Sequence, residues 1–132
     1  MKTAELQQQE QESQNQAGWF TICDENDLVL SSGVCALIPS EKLSQQQLAI
    51  FRVKDSANEV QTYAVANWDP IGKANVISRG IVGSIDNEIV VSSPLYKQHF
   101  SLLTGQCIED PTQQLTVYET CIKDGALLVK VA

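Results

Sequence analysis

Two apolar runs joined by Asp124-Gly125 constrain the fold of this chain more than any other feature. The runs LTVYETCI (115–122) and ALLVKV (126–131) flank a dipeptide in which both residues tolerate positive φ. An Asp-Gly pair between alternating apolar runs is typical of a tight β-hairpin. The side of the last strand that we expect to face the core carries Leu127, Val129 and Val131.

Similar short runs recur along the chain and predict further strands. Polar turns such as Asp86-Asn87 separate them, and no long amphipathic helix or internal repeat is visible. Many short strands with polar turns indicate an all-β protein built from small antiparallel sheets, as a sandwich or barrel. The predicted strands are residues 19–23, 34–38, 47–53, 60–66, 80–84, 88–91, 99–102, 115–122 and 126–131.

The first 17 residues differ in composition from the rest of the chain. Six glutamines and three glutamates lie within the first 16 residues, with too few apolar residues for a buried stripe. We therefore expect a disordered tail over residues 1–17 and one domain over residues 18–132. The tail lacks the apolar segment of a secretory signal, and no apolar run is long enough to cross a bilayer, which predicts a cytoplasmic protein.

The charge and the cysteines limit the classes of partner and ligand. A net charge of −7 disfavours nucleic acid and anionic membrane surfaces as partners. No nucleotide-binding glycine motif is present. The cysteines are widely spaced, which predicts buried or neutral thiols rather than metal ligands; they are Cys23, Cys35, Cys107 and Cys121. Four cations are too scattered along the sequence to predict a basic patch: Lys42, Lys73, Arg79 and Lys97.

The stretch SSPLYKQHFSLLTG (92–105) carries a resemblance that spans residues 19–131. These residues resemble the Rieske-type fold, in which two loops hold a [2Fe–2S] cluster. In that family the first loop carries C-x-H, and the second carries C-P-x-H-G followed by an aromatic residue and a Thr-Gly turn. Here Pro94, Phe100 and Thr104-Gly105 match the second loop, and NWDPIGKANVISRG (67–80) corresponds to the first. The positions of the cluster ligands are taken by Asn67, Asp69, Ser93 and Tyr96.

The chemistry of these four positions does not suit the cluster. A Rieske centre needs two thiolates on one iron and two imidazoles on the other. The chain has a single histidine, His99, and its cysteines lie outside both loops. The resemblance together with these replacements predicts a Rieske-like scaffold with no cofactor and no metal in this chain.

Further segments resemble one cluster-free group, the small subunits of NAD(P)H-dependent, sirohaem-containing nitrite reductase. The most specific is S-P-L-x-K-Q-x-F (93–100), because it replaces the cluster ligands in a particular way. The others are GVCALI (33–38), QLAIFRV (47–53), N-x-D-P (67–70), VISRGIV (76–82) and YETCIKDG (118–125).

This resemblance implies a non-catalytic subunit of an oxidoreductase. The partner would be a large subunit that carries FAD, a [4Fe–4S] cluster and the sirohaem where nitrite is reduced to ammonia, in nitrogen assimilation or nitrite detoxification. The alternative is a free-standing, cluster-free Rieske-like module that scaffolds another oxidoreductase. A third hypothesis, an electron-carrying ferredoxin, is disfavoured by the missing ligands.

In the Rieske-like fold both loops lie at one tip, and this placement predicts a partner interface rich in aromatic and apolar side chains. The competing interpretation is that these side chains pack the two loops together, with Tyr96 filling the space of a cluster. No catalytic residue is expected, because Tyr96 and His99 lie three residues apart and point to different faces, away from a shared site with Ser93. The candidate interface consists of Trp68, Asp69, Pro70, Pro94, Leu95, Tyr96 and Lys97.

Overall fold

The computed structural model describes residues 18–38, 46–55 and 57–131, so the expected tail over 1–17 lies outside the described residues. Within them the chain forms strands and two short 3-10 helices, Glu25–Asp27 and Ile77–Arg79. None of the described helices is long and apolar enough to span a membrane. The strands are β1 (Trp19–Asp24), β2 (Gly33–Leu37), β3 (Gln47–Lys54), β4 (Val60–Ala66), β5 (Trp68–Asp69), β6 (Ala74–Asn75), β7 (Ile81–Ile85), β8 (Glu88–Ser92), β9 (His99–Ser101), β10 (Val117–Lys123) and β11 (Ala126–Lys130).

The strands form antiparallel sheets, which confirms the predicted all-β class. A six-stranded sheet has the order β1-β11-β10-β4-β3-β2, and a three-stranded sheet has the order β7-β8-β9. The strands β5 and β6 form a separate short hairpin that the sequence did not predict. All nine predicted strands are present, with small shifts at their ends.

The residues at the two-residue turns explain why the chain forms a hairpin at each of these two positions. Asp124 and Gly125 have φ values of 52° and 79°, and Asp86 and Asn87 have values of 51° and 67°. Two successive residues with positive φ give the twist that matches two paired strands, and Asp, Asn and Gly tolerate this conformation. The prediction of a hairpin at Asp124-Gly125 is therefore confirmed, with Lys123 paired to Ala126.

The Thr-Gly turn fixes where β10 begins. Gly105 has a φ of 84°, and a Cβ placed on it would lie 2.1 Å from the carbonyl oxygen of Leu115. The N–H of Leu115 donates to the carbonyl of Gly105 at 2.8 Å, so Leu115 is bonded to this turn instead of to β4. The strand β10 consequently begins at Val117, two residues later than the alternation of the sequence predicts.

The core has two layers, one on each face of β3. Leu48 and Ile50 point to one face and pack with β4 and β11, where Leu127 and Val129 are buried and Val131 packs beside them, as predicted. Ala49, Phe51 and Val53 alternate with them and point to the other face. There they pack against the three-stranded sheet, whose contribution includes Val91 and Phe100. Because β3 is buried on both faces, its central residues 48–51 are all apolar instead of alternating with polar residues.

Two connections emerge at the same end of these sheets. The strand β4 leads into loop 1 (residues 67–80), and β8 leads into loop 2 (residues 93–98). The N–H of Asn67 donates to the carbonyl of Gln47 at 2.9 Å, which fixes the start of loop 1 beside the first residue of β3. The opposite end carries the β3–β4 and β7–β8 turns.

Candidate functional site

The structure joins loop 1 and loop 2 through a buried carboxylate. Asp69 and Ser93 are fully buried, and the Ser93 hydroxyl donates to Oδ2 of Asp69 at 2.5 Å. Oδ1 of Asp69 accepts hydrogen bonds from the backbone N–H groups of Ile71 at 2.8 Å and Gly72 at 3.0 Å. The Ser93 oxygen in turn accepts from the N–H of Leu95 at 3.3 Å. This set of bonds, which we call the loop brace, satisfies both buried polar side chains without a counter-ion.

A close apolar contact reinforces the loop brace. A Cβ built on Gly72 would lie 2.4 Å from Cδ1 of Leu95, so the leucine of loop 2 lies directly against the glycine of loop 1. No larger residue fits at position 72 without moving that leucine. The space between the loops is therefore occupied by the side chains of Leu95, Asp69 and Ser93.

Asn67 is not part of the loop brace and instead holds loop 1 against the six-stranded sheet. It is buried, and its Oδ1 accepts a hydrogen bond from the N–H of Ser78 at 2.7 Å. Its Nδ2 donates to Oε1 of Gln47 at 2.9 Å and lies 3.6 Å from Sγ of Cys35. The amide thus ties the two ends of loop 1 to the edge of the six-stranded sheet.

The residues at these positions do not fit a [2Fe–2S] cluster. Asn67, Asp69 and Ser93 offer amide, carboxylate and hydroxyl groups that are already bonded to one another or to neighbouring groups, where a Rieske centre needs thiolates and imidazoles. Tyr96 is 65% exposed and so does not fill the space between the loops. Among residues 18–38, 46–55 and 57–131, no three His, Cys, Asp or Glu side chains are grouped as metal ligands.

Several apolar side chains are exposed on the outer surface of the two loops. Trp68, Leu95 and Tyr96 are 47%, 44% and 65% exposed, and Pro94 and Lys97 are also exposed beside them. Of the predicted interface residues, Pro70 is half-buried and Asp69 lies beneath the surface, where it holds the loops rather than facing solvent. We call the exposed set, namely Trp68, Pro94, Leu95, Tyr96 and Lys97, the loop tip.

Ser93, Tyr96 and His99 do not form a shared site. The Ser93 hydroxyl is directed to Asp69, and Nδ1 of His99 lies 2.6 Å from Oε2 of Glu109. The backbone N–H of His99 also donates to Oε1 of Glu109 at 2.8 Å, so one carboxylate holds both groups of the histidine. His99 begins a strand, as the predicted strand over residues 99–102 implies. Its contact with Glu109 was not predicted, because a contact between residues ten apart on an irregular segment leaves no periodic signal.

The hydrogen bonds from His99 to Glu109 predict a pH-dependent contribution to stability. Partial desolvation raises the pKa of Glu109, but hydrogen bonds from the backbone and ring of His99 outweigh it and hold the pKa below its ordinary value. The carboxylate therefore stabilises the fold above the ordinary glutamate pKa of about 4.3, and this stabilisation is lost as the pH falls through the lower folded-state pKa.

We expect Glu109→Gln to lower the free energy of unfolding at pH 6 by only a few tenths of a kcal/mol, since both side chains are about one-third or more exposed. The free energies of unfolding of the variant and the wild type, measured by urea denaturation, should converge as the pH falls below about 4. A difference that stays constant between pH 6 and pH 3.5 would show that the lost stability is not that of a carboxylate.

None of the four cysteines lies within loop 1 or loop 2, although Sγ of Cys35 lies beside Nδ2 of Asn67. Cys35 and Cys121 are exposed, whereas Cys107 is buried in the core. Burial raises the pKa of the Cys107 thiol, and burial together with Asp27 and Asp24 raises the pKa of Cys23. All four are free thiols, and burial favours the neutral form of Cys107 and Cys23.

The fold and the sequence together match a known family. A family model described as a Rieske-like [2Fe-2S] domain matches residues 18–130. The small subunit of nitrite reductase (NADH) from Escherichia coli K12 is 38% identical over 112 residues, which cover 85% of this chain and 96% of that protein. The chain belongs to the Rieske-like family, among the nitrite reductase small subunits.

Two further members of the family show how this domain occurs. The crystal structure of a nitrite reductase small subunit from Mycobacterium tuberculosis, named as putative and NADH-dependent, superposes with a TM-score of 0.75 at 35% identity, covering 86% of this chain and 96% of that one. The nitrite reductase [NAD(P)H] large subunit of Klebsiella oxytoca is 33% identical over 111 residues, which cover 84% of this chain but only 11% of that protein. The Rieske-like domain thus exists both as a separate small chain and as one segment of a large-subunit chain.

Proposed function

We propose that this chain is the non-catalytic small subunit of an NAD(P)H-dependent nitrite reductase. The observation that carries the proposal is the pair of relatives just described. One is a separate small subunit of nearly the same length, and the other has a similar segment within a large-subunit chain. A domain that occurs on its own in one enzyme and joined to the large subunit in another is expected to act beside that subunit in both.

The loop brace supports a binding role rather than an electron-transfer role. A buried carboxylate, a hydroxyl and a leucine join the two loops, and none of these groups is a redox centre. In our proposal the chain supports the large subunit, which supplies FAD, a [4Fe–4S] cluster and the sirohaem and reduces nitrite to ammonia. The complex acts in the cytoplasm, in nitrogen assimilation or nitrite detoxification.

The loop tip is our candidate for the contact with the large subunit. Aromatic side chains that are nearly half exposed or more are costly to leave in water and are enriched among residues that dominate binding energy. The loop brace fixes the backbone beneath them, so little conformational entropy is lost when a partner binds.

The proposal is tested by nitrite-dependent oxidation of NAD(P)H by the cognate large subunit, with and without this chain, together with gel filtration of the mixture. We expect co-elution and a higher or longer-lived activity when the chain is present. If the two chains elute separately and the activity is unchanged, the proposal is wrong. The alternative, a free-standing module that scaffolds another oxidoreductase, would then be favoured.

A further inference from the structure

The distribution of charge on the two loops differs from that of the whole chain. The chain has a net charge of −7, yet loops 1 and 2 contain three cations and a single carboxylate. That carboxylate, Asp69, is fully buried in the loop brace, whereas the three cations are all exposed. The cations are Lys73, Arg79 and Lys97. They are scattered along the sequence, but the fold brings together the two loops that carry them. Lys42, the fourth cation considered above, lies outside the described residues.

Within the part of the chain that the structure describes, these cations form no ion pair with a carboxylate. Across the described ranges 18–38, 46–55 and 57–131, the contacts between basic and acidic side chains are Arg52–Glu25 and His99–Glu109. The exposed charge of the two loops is therefore entirely positive. An unpaired positive surface on an acidic protein is the electrostatic complement of an acidic face on a partner.

Two of the cations occupy equivalent positions beside the loop brace. The N–H of Lys73 donates to the carbonyl of Asp69 at 2.7 Å, and the N–H of Lys97 donates to the carbonyl of Ser93 at 3.0 Å. Each lysine thus ends a five-residue turn that begins at one member of the hydrogen-bonded Asp69–Ser93 pair. Both lysines have positive φ, at 59° and 63°, a conformation that is uncommon for residues other than Gly, Asn and Asp. Their backbone positions are consequently fixed relative to each other.

We propose that the loop tip, flanked by Lys73 and Lys97, binds an acidic face of the nitrite reductase large subunit that has an apolar centre. This inference rests on the proposed function and adds the chemistry of the partner surface. The exposed Trp68, Leu95 and Tyr96 supply the apolar contact, and the two lysines supply the charge. A second copy of this chain fits poorly, because two such tips would bring like charges together. An anionic lipid or nucleic acid would meet the acidic remainder of the domain.

Charge reversal with a matched control tests the inference. The double variant Lys73→Glu/Lys97→Glu changes the charge of the loops. The control Lys54→Glu/Lys123→Glu makes the same change at two exposed lysines near the β3–β4 and β10–β11 turns, at the opposite end of the sheets. Binding of each protein to the purified, cofactor-loaded large subunit is measured by biolayer interferometry at 50 mM and 300 mM NaCl. Unfolding curves of all three proteins serve to compare their stability.

We expect the loop variant to bind at least about tenfold more weakly than the control variant at low salt, and the difference to shrink at high salt. Equal binding by the two double variants would overturn the inference while leaving the proposed function intact. Absence of any binding by the wild-type chain would instead overturn the proposed function and the inference with it. The chain could instead dimerise or bind anionic vesicles. If the loop variant alone lost either of these interactions, the surface would belong to another partner and the inference would be contradicted.

Discussion

Replacement of Asp69 by alanine is expected to lower the free energy of unfolding by about 2–4 kcal/mol and to separate the two loops. The carboxylate is fully buried and accepts three hydrogen bonds, from the backbone of Ile71 and Gly72 and from the hydroxyl of Ser93. Its removal leaves all three donors without a partner in a site that is largely closed to water. The unsatisfied donors cost more than the removed hydrogen bonds contribute, because buried polar groups lose their hydration without compensation.

Urea denaturation of the wild type and two further variants measures this effect. Asp69→Asn keeps an oxygen for the two backbone N–H groups and places an amide opposite Ser93, so we expect it to lose clearly less stability than Asp69→Ala. Glu119→Ala removes an exposed carboxylate from β10 and should change stability by no more than about 0.5 kcal/mol. A loss below about 1 kcal/mol in Asp69→Ala would show that the loops are held together by other contacts.

The second large effect is expected on association with the large subunit. Tyr96→Ala and Trp68→Ala should each weaken binding to the large subunit by about tenfold or more, because both rings are exposed in the free chain and would be buried in the complex. Neither variant should change the stability of the isolated chain appreciably. Titration calorimetry with the purified large subunit measures the affinity.

Leu103→Ala is a suitable control for these variants. Leu103 is 70% exposed and lies beside Asn87 and Glu88, at the β7–β8 turn and away from the two loops. The Leu103→Ala variant should therefore bind the large subunit with the same affinity as the wild type. Weakened binding in Leu103→Ala with unchanged binding in the loop variants would move the interface to the opposite end of the domain.

The sequence predicted well those features that short-range geometry determines. The two-residue turns at Asp124-Gly125 and Asp86-Asn87 require positive φ, which few residue types tolerate, and both hairpins are present. Alternation placed Leu127 and Val129 in the core, because a strand directs every second side chain to the same face.

Features that depend on contacts distant in sequence could not be predicted in the same way. Ser93 and Asp69 are 24 residues apart, and nothing in the sequence around either residue indicates that the Ser93 hydroxyl donates to the Asp69 carboxylate. The resemblance to Rieske-type loops brought these positions together as degenerate cluster ligands, but it did not indicate that they bond to each other. The pairing of Lys73 and Lys97 with these two residues became visible only in the structure.

The measurement that tests our account most directly is hydrogen–deuterium exchange of this chain, free and bound to the cognate large subunit. We predict that binding protects peptides from loop 1 (67–80) and loop 2 (93–98), while exchange at the β3–β4 and β7–β8 turns is unchanged. Protection confined to those turns, with both loops exchanging as in the free chain, would contradict the account.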